Sequence, residues 1–425
     1  MAGLRRTRVA IVVSHPTQYY SPWFRFLAEY PALELQVFYL WDFGVTRQVD
    51  AGFGHAVQWD VPLLDGYAHR FVPNEARHPG THRPDGLHNP TLGKELSAWK
   101  PHAVVLFGHG WRTNARLLLK GPPPGSVLLY RGDSHLLGEG NQGLKAALRK
   151  IVVSRLLRKV DQFLAVGQAN SNYFRVHGVA DSKITFVPHC VDNDRFRDLG
   201  GAEAGRLRRR ELGIVDDQIV FLYAGKLEEK KRPADVIKAF RGFANERHVL
   251  LMAGAGVQEA ELRRLASGAA NIQFLPFQNQ MAMPGLYAAA DVFVLPSMGR
   301  KETWGLAVNE AMNCRCAIVV SDHVGCASDL VIDGENGRVI PAGDVACLRQ
   351  ALEEAGADQG KLSRWQQRSV KIIDGYSYAA ARDGLLVALE AAEKSALAKG
   401  RRLSREVWEK LASRRESVET VSEQG

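Results

Sequence analysis

The stretch ADVFVLPSMGRKETWGLAVNEAM, Ala290 to Met312, holds an apolar run, a short polar loop and an amphipathic segment, in that order. The run is too short to cross a bilayer and reads as a buried strand. Gly305 stands where the following helix should begin, with Ala307, Val308, Ala311 and Met312 on its apolar face. Two acids flank that start: Glu302 in the loop and Glu310 more than one turn inside the helix. A helix N-terminus offers unpaired N–H groups and a partial positive charge, which suits a phosphate.

The same strand–loop–helix unit recurs on both sides. RVAIVV, LELQVFYL, HAVVLF, SVLLY and QFLAV read as strands of one parallel sheet. IVFLYAG, HVLLMAG, IQFLP, DVFVLP and CAIVVSD read as strands of a second. The segments between them are long enough for crossover helices, so the expected fold class is α/β with two Rossmann-like, doubly wound domains. At 425 residues the chain exceeds one ordinary core. The expected division is residues 1–190, then 191–375 with a hinge near Cys190, a helix over 376–393, and a tail over 394–425 that is helical at first and then polar and frayed.

Composition excludes several classes. The chain is 46% hydrophobic and 24% charged, as a folded, water-soluble protein is. Basic residues precede Val9–Val13 as in a signal peptide, but His15 and Pro16 interrupt the run, so a first strand starting near Met1 is expected. The five cysteines form no CxxC pair, and reduced thiols in the cytoplasm are expected. The net charge of +9 fits phosphate-rich ligands or an anionic membrane face. The basic segment KAALRKIVVSRLLRK, Lys145 to Lys159, reads most simply as a surface helix with Ile151, Val152, Leu156 and Leu157 against the core; peripheral membrane contact is the alternative.

Three strand ends in the second half carry chemistry. FLYAGKLEEKKRP turns tightly at Gly225 and crowds Lys226, Lys230, Lys231 and Arg232 into one loop, where cations suit a diphosphate. Main-chain groups around Phe277 and Gln278 are placed to read a base edge. Glu302 and Glu310 are separated by a span of roughly 12 Å of helix, too far for the ~5 Å carboxylate pair of a retaining glycosidase. The spacing suits two grips on one ligand.

These features together resemble the retaining family 4 glycosyltransferases of GT-B architecture. Glu302 and Glu310 match the E-x7-E signature, and GKLEEKKR, Gly225 to Arg232, is similar to the family's G-R-L-x-x-x-K-G loop. ADVFVLPS, PHCVDNDRF (Pro188 to Phe196), GCASDLVIDGENG and YSYAAARDGLLVALE (Tyr376 to Glu390) resemble further family motifs in family order. The last of these resembles the helix that crosses back to the first domain. The resemblance covers roughly Arg8 to Glu390.

The resemblance implies transfer of a sugar from a nucleotide-diphosphate-sugar co-substrate to an acceptor hydroxyl, on a carbohydrate, lipid-linked or small-molecule acceptor. It implies no metal, no cofactor and no nucleic-acid partner. Lys231, aided by Lys226, would hold the diphosphate, and Glu310 the ribose. Glu302 with the backbone of Trp304, Gly305 and Leu306 would hold the sugar, and Phe277 would lie beside the base. Three departures stand out. Lys226 replaces the usual Arg. SHPTQYYSPW, Ser14 to Trp23, replaces a Gly-Gly loop and puts His15 and Gln18 on the acceptor side. The usual His after the fifth strand is replaced by Asp133, with His135 two residues on and His109 on the neighbouring loop as further candidates. Two other readings stay open: a nucleotide-sugar hydrolase or epimerase using the two glutamates as acid and base, and a donor-binding protein without catalysis.

Overall fold

The computed structural model describes residues 6–45, 48–50, 55–57, 59–138, 143–299 and 302–403. Nine strands lie in the first half of the chain: β1 (Thr7–Val13), β2 (Leu33–Tyr39), β3 (Gln48–Asp50), β4 (His55–Val57), β5 (His69–Phe71), β6 (Ala103–Phe107), β7 (Val127–Gly132), β8 (Gln162–Ala165) and β9 (Ile184–Phe186). All but β3 and β4, which form a separate antiparallel pair, join a parallel sheet of order β5-β2-β1-β6-β7-β8-β9. The chain winds outward from β1 to β5, then returns to β6 and winds the other way. β1 is therefore central, its Val9 opposite Leu35 on one side and Ala103 on the other.

The second sheet repeats the plan with β10 (Ile219–Ala224), β11 (His248–Ala253), β12 (Ile272–Leu275), β13 (Val292–Leu295), β14 (Ala317–Ser321) and β15 (Gly337–Ile340), in the order β12-β11-β10-β13-β14-β15. Its winding reverses between β10 and β13. In such sheets the loops leaving the carboxyl ends at the reversal diverge and leave a crevice between them. Both faces of both sheets are covered by helices, so the central strands are apolar throughout: every residue of β10 and β11 is buried.

The chain crosses between the sheets twice. The first crossing runs from β9 through Val187–Val191 into helix Asn193–Leu199, capped by the Asp192 carboxylate accepting from Arg195 N. The second leaves helix Gln359–Ile373 and enters helix Tyr378–Ala398, capped by Ser377. The Asn193 amide ties the two together, donating to the carbonyls of Ile373 and Tyr376, both at 3.4 Å. Helix Tyr378–Ala398 lies on the first sheet: Ala381, Leu385, Ala388, Leu389, Ala392 and Ala396 are buried with Val9, Ile11 and Leu164. This spacing of mostly small residues lets the helix settle closely, and a Cβ at Gly384 would lie 2.2 Å from the Phe186 carbonyl oxygen.

One expectation changes in part. The basic helix runs over Leu144–Leu156; Leu157 is buried and Leu156 packs on the core as expected, but Ile151 and Val152 are 51% and 50% exposed and Val153 is buried in their place. The helix carries two apolar stripes, and spacing alone does not say which one packs. The tail, expected to begin as a helix, is helical to Ala398, and residues 404–425 lie outside the described residues. Among the described residues no helix is long and apolar enough to cross a membrane.

Candidate active site

A cleft of about 540 Å3 lies between the carboxyl edges of the two sheets. Its second-domain wall comes from the loops that leave β10 and β13. After β10 the chain makes a single turn of 3-10 helix at Glu229–Lys231, which brings Lys226, Lys230 and Lys231 to the cleft. Lys231 Nζ is ion-paired with Glu302 Oε2, and Ser297 Oγ donates to the same oxygen at 2.8 Å. Lys230 Nζ pairs with Glu228 Oε1 at 2.9 Å.

The backbone after Glu302 is held from several sides. Gly325 N donates to the Glu302 carbonyl at 3.1 Å, and Cys326 N to that of Trp304 at 2.9 Å. Trp304 Nε1 donates to Asn309 Oδ1 at 2.8 Å, which plants the indole under the turn. Gly305 then takes φ +95 and helix Leu306–Asn313 begins. Only glycine adopts this conformation without strain, and a Cβ would lie 2.9 Å from Val324 Cγ1. The first amides of the helix thereby face the cleft, where Gly305, Leu306 and Ala307 are part of the lining.

Glu310 lies at the cleft floor, 2% exposed. Tyr287 OH donates to its Oε2 at 2.7 Å, while Oε1 has no hydrogen-bond partner among the described residues. Burial pushes the carboxyl up to about 7, against the pull of the Tyr287 hydroxyl, the nearby Arg195 and the Gln280 amide, which lies near but makes no hydrogen bond of normal geometry. A buried acceptor without a donor is uncommon.

The first-domain wall holds Thr17, Gln18, Tyr19 and Tyr20 from the loop after β1, Trp59, Asp133 after β7, and His189 at the first crossing. Asp133 Oδ2 accepts from Thr303 Oγ1 at 2.7 Å and lies 4.0 Å from His189 Nε2. Burial, with Arg131 nearby, holds the His189 imidazole well below its usual range, so it is neutral. The domains also meet where Met281 N donates to the Asp60 carboxylate at 3.2 Å and where Gln168 N donates to Asp329 Oδ1 at 3.0 Å.

The cleft therefore gathers Lys226, Lys231, Phe277, Glu302, Trp304, Gly305, Leu306, Glu310, Gln18 and Asp133. Three further candidates stand back from it. His109 Nδ1 is bonded to Tyr130 OH at 2.6 Å, and burial lowers its imidazole to about 4. His135 bridges the domains by donating from Nε2 to the Glu302 carbonyl at 3.1 Å. His15 is bonded to Ser14 and packed edge-on to Trp41 and Phe43. Sequence reasoning missed Tyr19, Tyr20, His189, Tyr287 and Ser297. Tyr19 and Tyr20 lie in the loop already marked as unusual, and His189 lies inside PHCVDNDRF. Tyr287 gives no signal beyond an apolar helix position. One Asp-x-Asp, Asp192 to Asp194, also escaped notice; Asp192 serves as the helix cap described above.

Two facing parallel-sheet domains, a cleft between their carboxyl edges and a last helix returning to the first domain define the GT-B fold. Residues 206–371 match the family described as glycosyl transferases group 1. Over 243 residues the chain is 29% identical to a D-inositol 3-phosphate glycosyltransferase of Streptomyces bingchenggensis, covering 54% of this chain and 52% of the relative. It is 29% identical over 158 residues to a putative colanic acid biosynthesis glycosyl transferase, WcaI, of Escherichia coli, covering 37% and 39% of the two chains. The chain thus spans about half the length, or less, of these curated relatives. Among solved structures, Anabaena HepE in complex with UDP superposes with a TM-score of 0.68 at 16% identity, covering 91% of this chain and all of that one. A glycosyltransferase from Rickettsia africae gives 0.70 at 11% identity, covering 92% and 99%.

Proposed function

We propose that this chain is a retaining glycosyltransferase that moves a sugar from a nucleotide-diphosphate sugar to an acceptor hydroxyl without a metal ion. The observation that carries the reading is the pair of unlike carboxylates in one cleft: Glu310, buried with an unpartnered oxygen, and Glu302, joined to Lys231 beside a helix N-terminus. Glu310 accepts from the ribose hydroxyls. Lys231 turns from Glu302 to the diphosphate, with Lys226 and the first amides of helix Leu306–Asn313 adding positive potential. Glu302, released, accepts from hydroxyls of the donor sugar. The anomeric carbon–oxygen bond breaks as charge gathers on the departing diphosphate, which these groups stabilise. The acceptor oxygen attacks from the face the diphosphate leaves, and a diphosphate oxygen takes its proton, so no protein base is required. An acid–base hydrolase is less well supported, because Lys231 and Ser297 both engage one oxygen of Glu302 and tie it to the loop.

HepE was solved with UDP, which makes UDP and UDP-glucose the first probes. Calorimetry should detect UDP binding, and a transfer assay with UDP-sugars and mixed acceptors should release UDP only when an acceptor is present. Absence of binding for UDP and for the other nucleoside diphosphates would overturn the proposal.

The reading places the chain in the cytoplasm, at the inner face of a membrane. Helix Leu144–Leu156 supports this: Leu144, Leu148, Ile151 and Val152 are exposed, and so are Lys150, Arg155 and Arg158 on or just after it. Co-sedimentation with anionic vesicles, and not with zwitterionic ones, is the expected result. Equal behaviour with both would remove this part of the reading.

A further inference from the structure

The relatives named above for D-inositol 3-phosphate raise a question about the acceptor, and the first-domain wall of the cleft bears on it. An acceptor carrying a phosphate needs a cation beside it. The lining residues of that wall are Thr17, Gln18, Tyr19, Tyr20, Trp59, Asp133 and His189. Among these described residues none is a lysine or an arginine, and the one carboxyl group is that of Asp133. The nearest arginine, Arg131, is buried behind the wall, donating to the carbonyls of Val187 at 2.8 Å and Pro188 at 3.0 Å. His189 is neutral, as shown above.

What the wall itself offers instead is hydroxyls, the Gln18 amide and the rings of Tyr19, Tyr20 and Trp59, and further rings adjoin the loop that carries Thr17 and Gln18. Trp41 and Phe43, in the loop that leaves β2, are stacked with centroids 4.7 Å apart and are both half-buried. His15 meets them edge-on and ties them to the loop that carries Thr17 and Gln18. A Cβ at Gly44 would lie 3.0 Å from the Pro16 carbonyl oxygen, so the two loops are in contact. Trp59 faces Phe277 across the cleft with centroids 6.3 Å apart. Flat aromatic faces beside amide and hydroxyl groups suit the alternating C–H faces and hydroxyl edges of a sugar ring. A carboxylate accepts two hydroxyls well and repels a phosphate.

We infer that the acceptor is an uncharged sugar, the end of a neutral glycan, seated between the loops after β1 and β2 with a hydroxyl turned toward Asp133, and not a phosphorylated polyol. The inference rests on the transfer reading and narrows it.

Saturation-transfer NMR with UDP present tests it, using maltose, cellobiose, lactose and gentiobiose against D-inositol 3-phosphate. Saturation should reach at least one neutral disaccharide and leave the inositol phosphate untouched. Trp41→Ala should weaken that disaccharide about tenfold, the scale of one lost aromatic contact. Phe43→Ala, a smaller change to the fold, should weaken it in the same direction, while UDP affinity by calorimetry stays unchanged in both. Saturation of D-inositol 3-phosphate but of no neutral disaccharide overturns the inference, and so does saturation of neither. If UDP still binds in those cases, only the acceptor assignment falls. If UDP does not bind, the transfer reading falls with it.

Discussion

Glu310 and Lys231 perform opposite electrostatic tasks within one cleft. The Glu310 carboxyl is raised from 4.5 to about 7 by burial, so the folded state resists its ionisation. Its contribution to stability is fully present below pH 4.5 and is lost as the pH rises to about 7, a change of roughly 3 kcal/mol. Thermal melts should therefore show the wild type losing ground to Glu310→Gln over that window, and parallel pH profiles would show the shift to be absent. Ribose hydroxyls favour the ionised form, so UDP binding at pH 6 should release close to one proton, and almost none at pH 8.5. Calorimetry in buffers of different ionisation enthalpy measures this, and Glu310→Gln should abolish it. In the proposed reaction Lys231 acts on the leaving group. Removing one such donor typically costs ~3 kcal/mol of barrier, so Lys231→Ala should lower kcat about a hundredfold. Lys230, paired with Glu228, should matter little when replaced by alanine. Steady-state rates at saturating donor decide between them; a crippled Lys230→Ala would exchange the two roles.

At the scale of elements, the start of helix Leu306–Asn313 depends on one glycine. Gly305→Ala combines a left-handed backbone with a methyl 2.9 Å from Val324, a cost of about 2 kcal/mol or more. Its thermal midpoint should fall and its UDP affinity should drop with it, because the helix amides lose their aim. A variant with wild-type melting would show that the turn relaxes freely. This helix was legible in the sequence because Gly305, the apolar stripe and the acids all point to one boundary. The long strands were legible for a similar reason, since burial on both faces writes them as unbroken apolar runs. The strands that escaped are short: the separate pair β3 (QVD) and β4 (HAV), and the edge strands β5 (HRF) and β15 (GRVI), none of which carries a run. The site divides in the same way. Lysines and glutamates clustered in single loops could be read locally. Tyr287, partner to Glu310 from 23 residues away, and Thr303, partner to Asp133 from 170 residues away, could not, because only the fold brings them together. The basic helix over Leu144–Leu156 was recognised as a helix, with Leu156 and Leu157 facing the core as expected and Ile151 and Val152 not, since charge and spacing fix its period and not its exact facing.

For the whole molecule, the joint between domains concentrates on Asn193. Its buried amide bridges both crossings, and its Oδ1 accepts from Asn313 at 2.9 Å. Asn193→Ala leaves several buried groups without partners and should cost about 2 kcal/mol; an unchanged denaturation midpoint would show that water replaces the amide. Two crossings fastened side by side behave like a leaf hung on two pins. Sliding one sheet past the other would stretch one strand of the joint and slacken the second, so the permitted movement is a swing about the line between them. A swing parts Asp133 from Thr303, because they ride on different leaves. It leaves Lys231, Glu302, Ser297 and Glu310 assembled, because all four ride on one. The open molecule thus keeps a finished seat for the nucleotide sugar on one leaf, while the acceptor's first-domain seat is parted from Thr303 and Phe277 on the other. Occupancy should follow in sequence, the nucleotide sugar first and the acceptor after the leaf has swung shut. Initial-rate and product-inhibition patterns of a compulsory order are expected, and a random-order pattern would mean that the acceptor's seat is complete without closure.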